Sequence, residues 1–304
     1  MDSPATGATP GLPANLRDQR LRRPDGRTVA WVETGILDGR PMLRVPGTPG
    51  SRFALRHDQT PWLERGLRII NTERMGFGAS TRLPARGFTQ HADDLAAILD
   101  RLEIDRLPLI GGSGGAPHVL AFATRHPERV TAATIVVGAA PIANEEAVEM
   151  IGLNAEAYRL AQRGDREGMV ALLGAVRDAI LADPLASFRE TMRTAPPADQ
   201  ATMTEPAWQS SFTLGVREAL RPGVEGWVDE SMCMLGPWSD LDPATIGVSV
   251  TWWHSDGDRN VPLQAVRRLV ARLPNARLVI WPDAGHLTPY HHEGEILDDL
   301  LARG

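Results

Sequence analysis

Short runs of apolar and β-branched residues alternate with longer amphipathic stretches along most of this chain. Several of those stretches repeat apolar residues at helical spacing, as in FTQHADDLAAILDRLEI with Leu95, Ile98 and Leu99 on one face. Alternating strands and helices predict a mostly parallel α/β sheet with helices on both faces. The runs with the length and composition of strands are RLRR, RTVAWVET, PMLR, LRIINTE, LPLIGG, TAATIVV, VSVTWW and LVIW.

The alternation of strands and helices stops at Pro141 and resumes near Gly247. Between these points the chain has only helical signals, and proline-containing breaks at 184, 196–197, 206 and 222 predict about four or five helices. A block of helices is therefore inserted into the α/β pattern. We expect a flexible tail at residues 1–16, an α/β core formed by 17–141 and 237–304, and a helical cap at 142–236.

Composition and charge narrow the classes of function. Of the 304 residues, 42% are hydrophobic and 23% charged, which is typical of a globular protein and not of a disordered chain. A net charge of −6 leaves no basic surface for a nucleic acid, and no apolar run has the length of a membrane helix. The single cysteine, Cys233, excludes an internal disulfide and any multi-cysteine metal site. Because the amino end also lacks a secretory signal pattern, we expect a cytoplasmic protein.

Ser113 lies in the sequence GGSGG, which fits the pattern G-x-S-x-G. The strand LPLIGG precedes this motif and a predicted helix follows it, which is the context in which such a serine serves as a nucleophile. A strand that turns sharply into a helix strains the residue at its apex, and small neighbours give the backbones room to pass. The bare pattern is expected about 0.1 times by chance in a chain of this composition, so its weight depends on the partners of the serine.

A nucleophilic serine needs a base and an acid that orients the base. His286 follows the strand LVIW in the sequence DAGH, at the carboxyl end of the last predicted strand. The acid candidates are Asp256 and Asp258, which both follow the strand VSVTWW, and Asp256 also suits a turn ahead of Gly257. We interpret the other seven histidines as structural: His57, His91, His118, His126, His254, His291 and His292.

The loop VPGTPGSR follows the strand PMLR and places glycine and proline on either side of Thr48. A tetrahedral intermediate carries negative charge, which backbone N–H groups must stabilise. One donor is expected from Gly114, directly after the serine, and a second from the loop after an early strand. The N–H of Thr48 is the candidate for the second donor, because Gly47 frees it from strand pairing and Pro49 stiffens the loop.

Together these motifs resemble the α/β-hydrolase superfamily, in its branch with a helical cap between two strands. The similarity covers nearly the whole chain after about residue 18 and rests on the PGTPG loop, the RMGFGAST turn, the GGSGG elbow, the DRNVP loop and DAGH. It implies an eight-stranded, mostly parallel sheet with an inserted all-helical cap. One position departs from the family pattern, because Pro46 stands where a histidine usually precedes the glycine of the first loop.

The resemblance also implies a role for each candidate side chain. Ser113 would be the nucleophile and His286 the base. Asp258 would be the acid, because its D-x-x-V-P spacing resembles the acid loop of the family, and Asp256 is the alternative. A serine at the elbow, in place of aspartate, disfavours epoxide-hydrolase and haloalkane-dehalogenase chemistry. Such a triad needs no metal and no organic cofactor.

These assignments predict a serine hydrolase that forms an acyl-enzyme from a carboxylic ester, thioester or lactone with a hydrophobic portion. Its partner would be a small-molecule substrate, and the protein would be a monomer or a homodimer. Apolar residues of the predicted cap would line the substrate pocket. The candidates are Met150, Met169, Met203, Trp208, Phe212, Trp227, Met232 and Met234.

Three alternatives stay open from the sequence. A C–C hydrolase, a lyase or a cofactor-free oxidative enzyme could use the same triad, because the fold does not dictate the reaction. A ligand-binding receptor on this fold would have little need of an intact triad. A serine aminopeptidase similar to the proline-releasing branch would need an acidic cap residue to bind a free amine, and the candidates are Glu145, Glu146, Glu156, Glu205 and Asp229.

Overall fold

An eight-stranded sheet runs through the centre of the computed structural model, which describes residues 12–304. The strands are β1 (Arg17–Arg22), β2 (Thr28–Gly35), β3 (Arg40–Val45), β4 (Leu67–Thr72), β5 (Leu107–Gly112), β6 (Val130–Val136), β7 (Val250–Ser255) and β8 (Ala276–Trp281). They lie in the order β1-β2-β4-β3-β5-β6-β7-β8. The pairs β1–β2 and β2–β4 are antiparallel and all later pairs are parallel, so the predicted mostly parallel sheet is confirmed.

Helices cover both faces of this sheet. The helices of residues 12–304 are α1 (Thr60–Glu64), α2 (Thr89–Arg101), α3 (Ala116–Arg125), α4 (Gly152–Gln162), α5 (Arg166–Ala182), α6 (Pro184–Thr191), α7 (Pro197–Thr202), α8 (Pro206–Leu220), α9 (Glu225–Leu235), α10 (Leu263–Val270) and α11 (Glu293–Arg303). Alternate strand residues point to opposite faces, so Leu43 packs in one apolar cluster with α2, α3 and α10, while Met42 packs in the other with α1 and α11.

Six helices, α4 to α9, fill the segment between β6 and β7, where the proline breaks predict about four or five. The missed boundary lies between α4 and α5, where Gly164 has a left-handed φ of +66° and the Asp165 side chain caps α5. Three other boundaries coincide with prolines, because Pro184, Pro197 and Pro206 each begin a helix. The insertion has the position of the predicted cap, and that name is used below for residues 142–236.

The amino end joins the fold earlier in the chain than predicted. Residues 1–11 of the predicted tail lie outside the part that the structure describes. Leu12 and Leu16 pack against the apolar cluster of α1 and α11, and the Asn15 side chain donates a hydrogen bond to the Gly35 carbonyl at 2.6 Å. These residues belong to the core because both leucine side chains pack against buried apolar residues of that cluster.

The carboxyl ends of the parallel strands meet at one edge of the sheet, and the candidate residues follow four of these ends. The loop after β3 carries Thr48, the turn after β5 carries Ser113, the loop after β7 carries Asp258 and the loop after β8 carries His286. Ligands of open α/β sheets bind at this edge. In the described range, no helix has the length and apolar character to cross a membrane.

Candidate active site

Ser113 occupies the turn between β5 and α3 in a strained backbone conformation. Its φ of +48° lies in the left-handed region, which residues with a side chain rarely adopt. The turn passes close to the end of β3, because a Cβ atom added to Gly115 would lie 2.3 Å from the carbonyl oxygen of Val45. Glycine at this position therefore gives the clearance that the sequence pattern predicts.

Three side chains form a hydrogen-bonded chain at this edge of the sheet. His286 Nε2 lies 3.0 Å from Ser113 Oγ, and His286 Nδ1 lies 2.7 Å from Asp258 Oδ2. Asp256 takes part in a turn, where its Oδ1 accepts the N–H of Ala284 at 3.4 Å. Of the sequence candidates, the structure thus brings Ser113, His286 and Asp258 together and leaves Asp256 outside the group.

Asp258 is buried, and both of its oxygens are hydrogen-bonded. Oδ1 accepts the N–H of Asn260 at 2.7 Å and that of Val261 at 3.1 Å. Burial raises the pKa of Asp258, but the nearby imidazole of His286 and the backbone donor outweigh burial, so the net pKa lies below its ordinary value. Asp258 is therefore a carboxylate that can hold His286 in the tautomer whose Nε2 accepts a proton from Ser113.

His286 has the electrostatic environment of a general base. Burial lowers its pKa, but the charge and hydrogen bond of Asp258 and the charge of Asp199 in α7 outweigh burial, so that the pKa lies above the ordinary 6.5. A general base must be neutral to accept a proton. The reactive form of His286 therefore predominates only at a pH above this raised pKa.

The loop after β3 lies against the serine. A Cβ atom added to Gly47 would lie 3.1 Å from Ser113 Cβ, and one added to Gly114 would lie 3.2 Å from the Thr48 nitrogen. The Thr48 N–H donates to no acceptor in residues 12–304. Thr48 and Gly114 are therefore neighbours beside Ser113, as an oxyanion hole requires. We call residues 46–50 the oxyanion loop.

Arg74 supports the oxyanion loop, a contact that the sequence analysis did not foresee. Arg74 is fully buried and donates to the Pro46 carbonyl, to the Gly47 carbonyl at 2.8 Å and to Thr48 Oγ1 at 2.8 Å. Since Pro46 has no side-chain donor, the loop takes its support from this arginine in the turn after β4. The signal for this contact in the sequence is the position of Arg74 in the motif RMGFGAST, a motif that by itself assigns no role to the arginine.

Two cavities meet at Ser113 and His286. The first has a volume of about 190 Å³ and extends under the cap, and its mostly apolar walls include the predicted residues Met150, Phe212, Trp227 and Met234. The second has a volume of about 210 Å³ and extends along the oxyanion loop, and its walls include Trp208, Phe212, Tyr290, Arg44 and Arg56. A substrate bound at Ser113 can therefore extend into two mostly apolar spaces. The second, called the cationic cavity below, also contains the guanidinium groups of Arg44 and Arg56 in its wall.

Three predicted pocket residues lie away from both cavities. Met169 is buried in an apolar cluster of cap helices that also includes Phe77 of the turn after β4. Met203 is buried in a cluster that also includes Leu287 of the loop after β8. Met232 lines a separate groove with Arg86 and Asp240. Helical periodicity identifies an apolar face, but it does not distinguish a face that meets other helices from one that meets a cavity.

The acidic cap residues considered as ligands for a free amine do not line either cavity. Glu146 pairs with Arg268 at 2.6 Å, and Asp229 pairs with Arg82 at 2.6 Å. The remaining candidates are partly or fully exposed: Glu145, Glu156 and Glu205. The geometry therefore gives no support to an aminopeptidase.

The described residues contain no metal centre beside the triad, and the thiol of Cys233 is not a reactive thiolate. No group of three or more His, Cys, Asp or Glu side chains between residues 12 and 304 is arranged to hold a metal ion. Burial raises the pKa of the Cys233 thiol to about 12, so this side chain stays protonated near neutral pH.

Comparison with known proteins identifies the family. A sequence profile described as the alpha/beta hydrolase fold matches residues 40–293 of the chain. The chain belongs to the α/β-hydrolase family. The resemblance drawn from the sequence motifs is thereby confirmed.

Individual relatives of this α/β-hydrolase include enzymes with assigned activities. It is 30% identical to 2-hydroxy-6-oxo-2,4-heptadienoate hydrolase from Pseudomonas putida over 263 residues, which span 84% of this chain and 86% of the relative. It is 26% identical to 2-hydroxymuconate semialdehyde hydrolase from a Pseudomonas species over 287 residues, 90% of this chain and 92% of the relative. A thermophilic esterase from Thermogutta terrifontis superimposes with a TM-score of 0.67 at 20% identity, covering 94% of this chain and 98% of the esterase, which shows the shared fold.

Replacing Asp258 with asparagine should lower kcat by about 10³–10⁴-fold, because an amide cannot hold His286 in the required tautomer or stabilise the imidazolium. Asp256→Asn is the matched control, since it neutralises a carboxylate of the same loop that does not contact His286, and it should leave kcat within about twofold. Hydrolysis of p-nitrophenyl acetate by the purified variants measures both effects. Loss of activity in Asp256→Asn alone would contradict the assignment of the acid.

Proposed function

We propose that this α/β-hydrolase is a serine hydrolase that cleaves the carbon–carbon bond beside a ketone in a carboxylate-bearing substrate. Ser113, His286 and Asp258 act as nucleophile, base and acid, and the N–H groups of Thr48 and Gly114 form the oxyanion hole. The observation that carries this proposal is the meeting of an apolar and a cationic cavity at Ser113. A substrate with an apolar acyl portion and a carboxylate on the far side of the reacting carbonyl fits both cavities.

The reaction has two halves that both use His286. In the first half His286 accepts the Ser113 proton while Oγ forms a bond to the ketone carbon, and the oxyanion hole stabilises the tetrahedral intermediate. The carbon–carbon bond then breaks, its electron pair stays on the leaving fragment, and the imidazolium returns the proton to that fragment. In the second half a water molecule deprotonated by His286 hydrolyses the acyl-Ser113 ester. The sum is one water consumed, one carboxylic acid released and one C–H bond formed on the other fragment.

The leaving fragment of this reaction carries the electron pair of the broken bond and needs an electron sink. In a 2-hydroxy-6-oxo-dienoate, ketonisation moves the enol proton to C5 and creates an oxo group that is conjugated through a double bond to the breaking C5–C6 bond. This oxo group accepts the electrons and then the imidazolium proton, so the one C–H bond gained by the leaving fragment is the bond formed at C5. The carboxylate of the substrate remains on the same fragment. The leaving fragment is therefore anionic and matches the cationic cavity, while the acyl fragment matches the apolar cavity.

Arg44 gives the second cavity its positive charge. Its Nη1 donates to the Ala54 carbonyl and to the Asn71 side chain, both at 3.2 Å, and it forms no ion pair within residues 12–304. Burial lowers the pKa of Arg44, and the more distant Glu293 opposes this effect only in part. A desolvated cation without a paired anion is unfavourable, so a substrate carboxylate would be stabilised at this position.

Arg56 lines the same cavity but already has an anionic partner. Its Nε donates to Glu293 at 2.7 Å, and its guanidinium lies 4.0 Å from the centre of the Tyr290 ring. Arg44, Arg56 and Glu293 together therefore leave one unbalanced positive charge at the cavity. One carboxylate group of a substrate would neutralise it.

The sequence relatives support the same class of substrate. The names of the two Pseudomonas hydrolases denote unsaturated carboxylates with an oxo or semialdehyde group, and the match to each covers more than four fifths of both chains. These compounds combine the ketone or aldehyde, the conjugated electron sink and the carboxylate that the reaction above requires. The family triad and the cavity pair of this chain are compatible with each of these features.

Hydrolysis of a neutral carboxylic ester is the second candidate function. The observation that favours it is the apolar cavity of about 190 Å³, whose lining contains no Asp, Glu, Lys or Arg side chain. An ester would use the same acyl-enzyme on Ser113 with an alcohol as the leaving group. This reaction leaves the cationic cavity without a function.

The wild-type protein should hydrolyse 2-hydroxy-6-oxohepta-2,4-dienoate with a higher kcat/KM than p-nitrophenyl esters of increasing acyl length, and Ser113→Ala should abolish both activities. Decay of the dienoate absorbance and release of p-nitrophenol measure the two rates. Rapid ester hydrolysis without dienoate cleavage would replace the first candidate by the second. Equal turnover by wild type and Ser113→Ala would rule out the nucleophile for both.

Arg44→Gln should raise KM for the dienoate by about 10–100-fold, since it removes a charge-assisted hydrogen bond, and should change the kinetics of a neutral ester far less. Arg44→Lys retains the charge and should recover part of the loss. Arg40→Gln, which removes an exposed arginine from the start of the same strand, is the control. A similar loss on both substrates would indicate damage to the fold and contradict the carboxylate subsite.

A further inference from the structure

Two buried carboxylates of the cap contact the loops of the catalytic site. Asp199 in α7 is fully buried, and Glu230 in α9 is 1% exposed. Both belong to the inserted helices, yet the partners of their side chains belong to the α/β core. These partners lie on loops, except that His118 Nε2 in α3 lies 3.2 Å from Glu230 Oε1. A buried carboxylate is stable only where hydrogen-bond donors satisfy its oxygens. These contacts therefore stabilise the buried charges and also connect the cap to the α/β core.

Asp199 binds the main chain of the loop that carries the base. Its Oδ2 accepts the N–H of His286 at 2.9 Å, and its Oδ1 accepts the N–H of Leu287 at 2.7 Å. Gly285 leaves room for this approach, because a Cβ atom there would lie 2.3 Å from Asp199 Oδ1. The carboxylate thereby fixes the backbone of the residue whose Nε2 must reach Ser113 Oγ.

Glu230 binds the oxyanion loop. Its Oε1 accepts the Thr48 hydroxyl at 2.8 Å and lies 2.7 Å from Arg74 Nε, while Arg86 donates to Oε2. Arg74 in turn donates to Thr48 Oγ1 and to the Gly47 carbonyl, each at 2.8 Å. The placement of Thr48, including its free N–H, therefore depends on a side chain of the cap.

We propose that Asp199 and Glu230 are positioning residues through which the cap completes the catalytic site, Asp199 by holding the loop of His286 and Glu230 by holding the oxyanion loop through Thr48. The proposal rests on the proposed catalytic role of the triad, but it is independent of which substrate is cleaved. The cap then contributes to the rate of the chemical step in addition to shaping the apolar cavity.

The charge of Asp199 also acts on the base itself. The groups that face His286 are Ser113 on the elbow, Asp258 and His254 on the side of β7, and Asp199 on the cap. Burial lowers the pKa of His254, so it is neutral, whereas Asp258 and then Asp199 raise the pKa of His286. Removing the charge of Asp199 lowers the pKa of His286, so the neutral base should persist to lower pH.

Asp199→Asn tests the first contact, because the amide keeps the size of the side chain but cannot accept both N–H groups or carry the charge. We expect kcat for p-nitrophenyl acetate to fall about 10–100-fold with KM within about threefold, and the acid limb of the kcat/KM profile to move to lower pH by about half a unit. Glu190→Gln, which neutralises an exposed cap carboxylate, should change neither. A kcat within twofold of wild type and an unmoved acid limb would overturn the role of Asp199.

A second variant tests the same contact from the core if Asp199→Asn does not fold. Gly285→Ala places a methyl group against the Asp199 carboxylate without changing the cap. It should lower kcat and shift the acid limb in the same direction as Asp199→Asn. A folded Gly285→Ala protein with the wild-type pH profile would also overturn the role of Asp199. Circular dichroism and the midpoint of thermal unfolding establish which variants are folded.

A pair of substitutions at Thr48 tests the contact with Glu230. Thr48→Val keeps the branched shape and the main-chain N–H but removes the hydroxyl, whereas Thr48→Ser keeps the hydroxyl. Thr48→Val should lower kcat about tenfold with little change in KM or in the acid limb, because Glu230 does not face His286. Thr48→Ser, which restores the hydroxyl, should recover most of this loss. Equal kcat values for the two variants would overturn the role of Glu230.

A fluorophosphonate probe separates failure of this inference from failure of the proposed function. The probe reacts with an activated serine and needs no carbon–carbon substrate, so its labelling rate reports the base and the oxyanion hole directly. Labelling of wild type that slows in Asp199→Asn and in Thr48→Val is the expected result. Labelled wild type with unaffected variants would refute the positioning roles, whereas wild type that is not labelled at Ser113 would refute the serine nucleophile.

Discussion

The passage of the serine turn beneath the oxyanion loop is the constraint on which the rest of the site depends. β3 and β5 are adjacent parallel strands, with Val45 paired to Gly111, and the segments that follow their ends lie in direct contact. A side chain at Gly114 or Gly115 would collide with Thr48 or Val45. The left-handed backbone of Ser113 costs about 1–3 kcal/mol, which the buried strand and helix on either side offset. Once these two segments are in contact, the order of the strands in the sheet places His286 Nε2 within 3.0 Å of Ser113 Oγ.

Charge is distributed unevenly around Ser113. The carboxylates of Asp258 and Asp199 lie on the side of His286. The guanidinium of Arg44, which has no ion-pair partner among residues 12–304, lines the cavity beside the oxyanion loop. Acyl transfer at a serine creates positive charge on the imidazole and negative charge on the substrate. The fixed charges of the protein therefore have the signs that the proposed reaction requires on each side, before any substrate binds.

The sequence predicts the sheet and the triad because both depend on local order along the chain. Strand runs and turn residues mark the strand ends, and parallel pairing then gathers Ser113, Asp258 and His286 at one edge. Asp199 and Glu230 could not be predicted in this way. A charged residue in an amphipathic helix is usually solvated, and only the packing of the cap on the core shows that these two are buried.

Dependence on tertiary packing also explains why the helix boundaries and the pocket residues of the cap are only partly predicted from the sequence. Gly164 separates two helices without a proline, and Met169 and Met203 face other helices, whereas Met150 faces a cavity. Each of these outcomes depends on tertiary neighbours that lie far away in sequence. Arg74 is an intermediate case, because its motif was visible but its acceptor carbonyls are on another loop.

The contacts of Asp199 and Glu230 bear on how this protein can diverge. A cap that only covered the site could be replaced by recombination at its two junctions, and a new specificity would arrive in one step. Here an exchanged cap would also remove both carboxylates. The N–H groups of His286 and Leu287 would lose their acceptor, and the guanidinium groups of Arg74 and Arg86 would lose their anionic partner. An exchanged cap would therefore have to supply carboxylates at the same two places to keep the loop of His286 and the oxyanion loop in position.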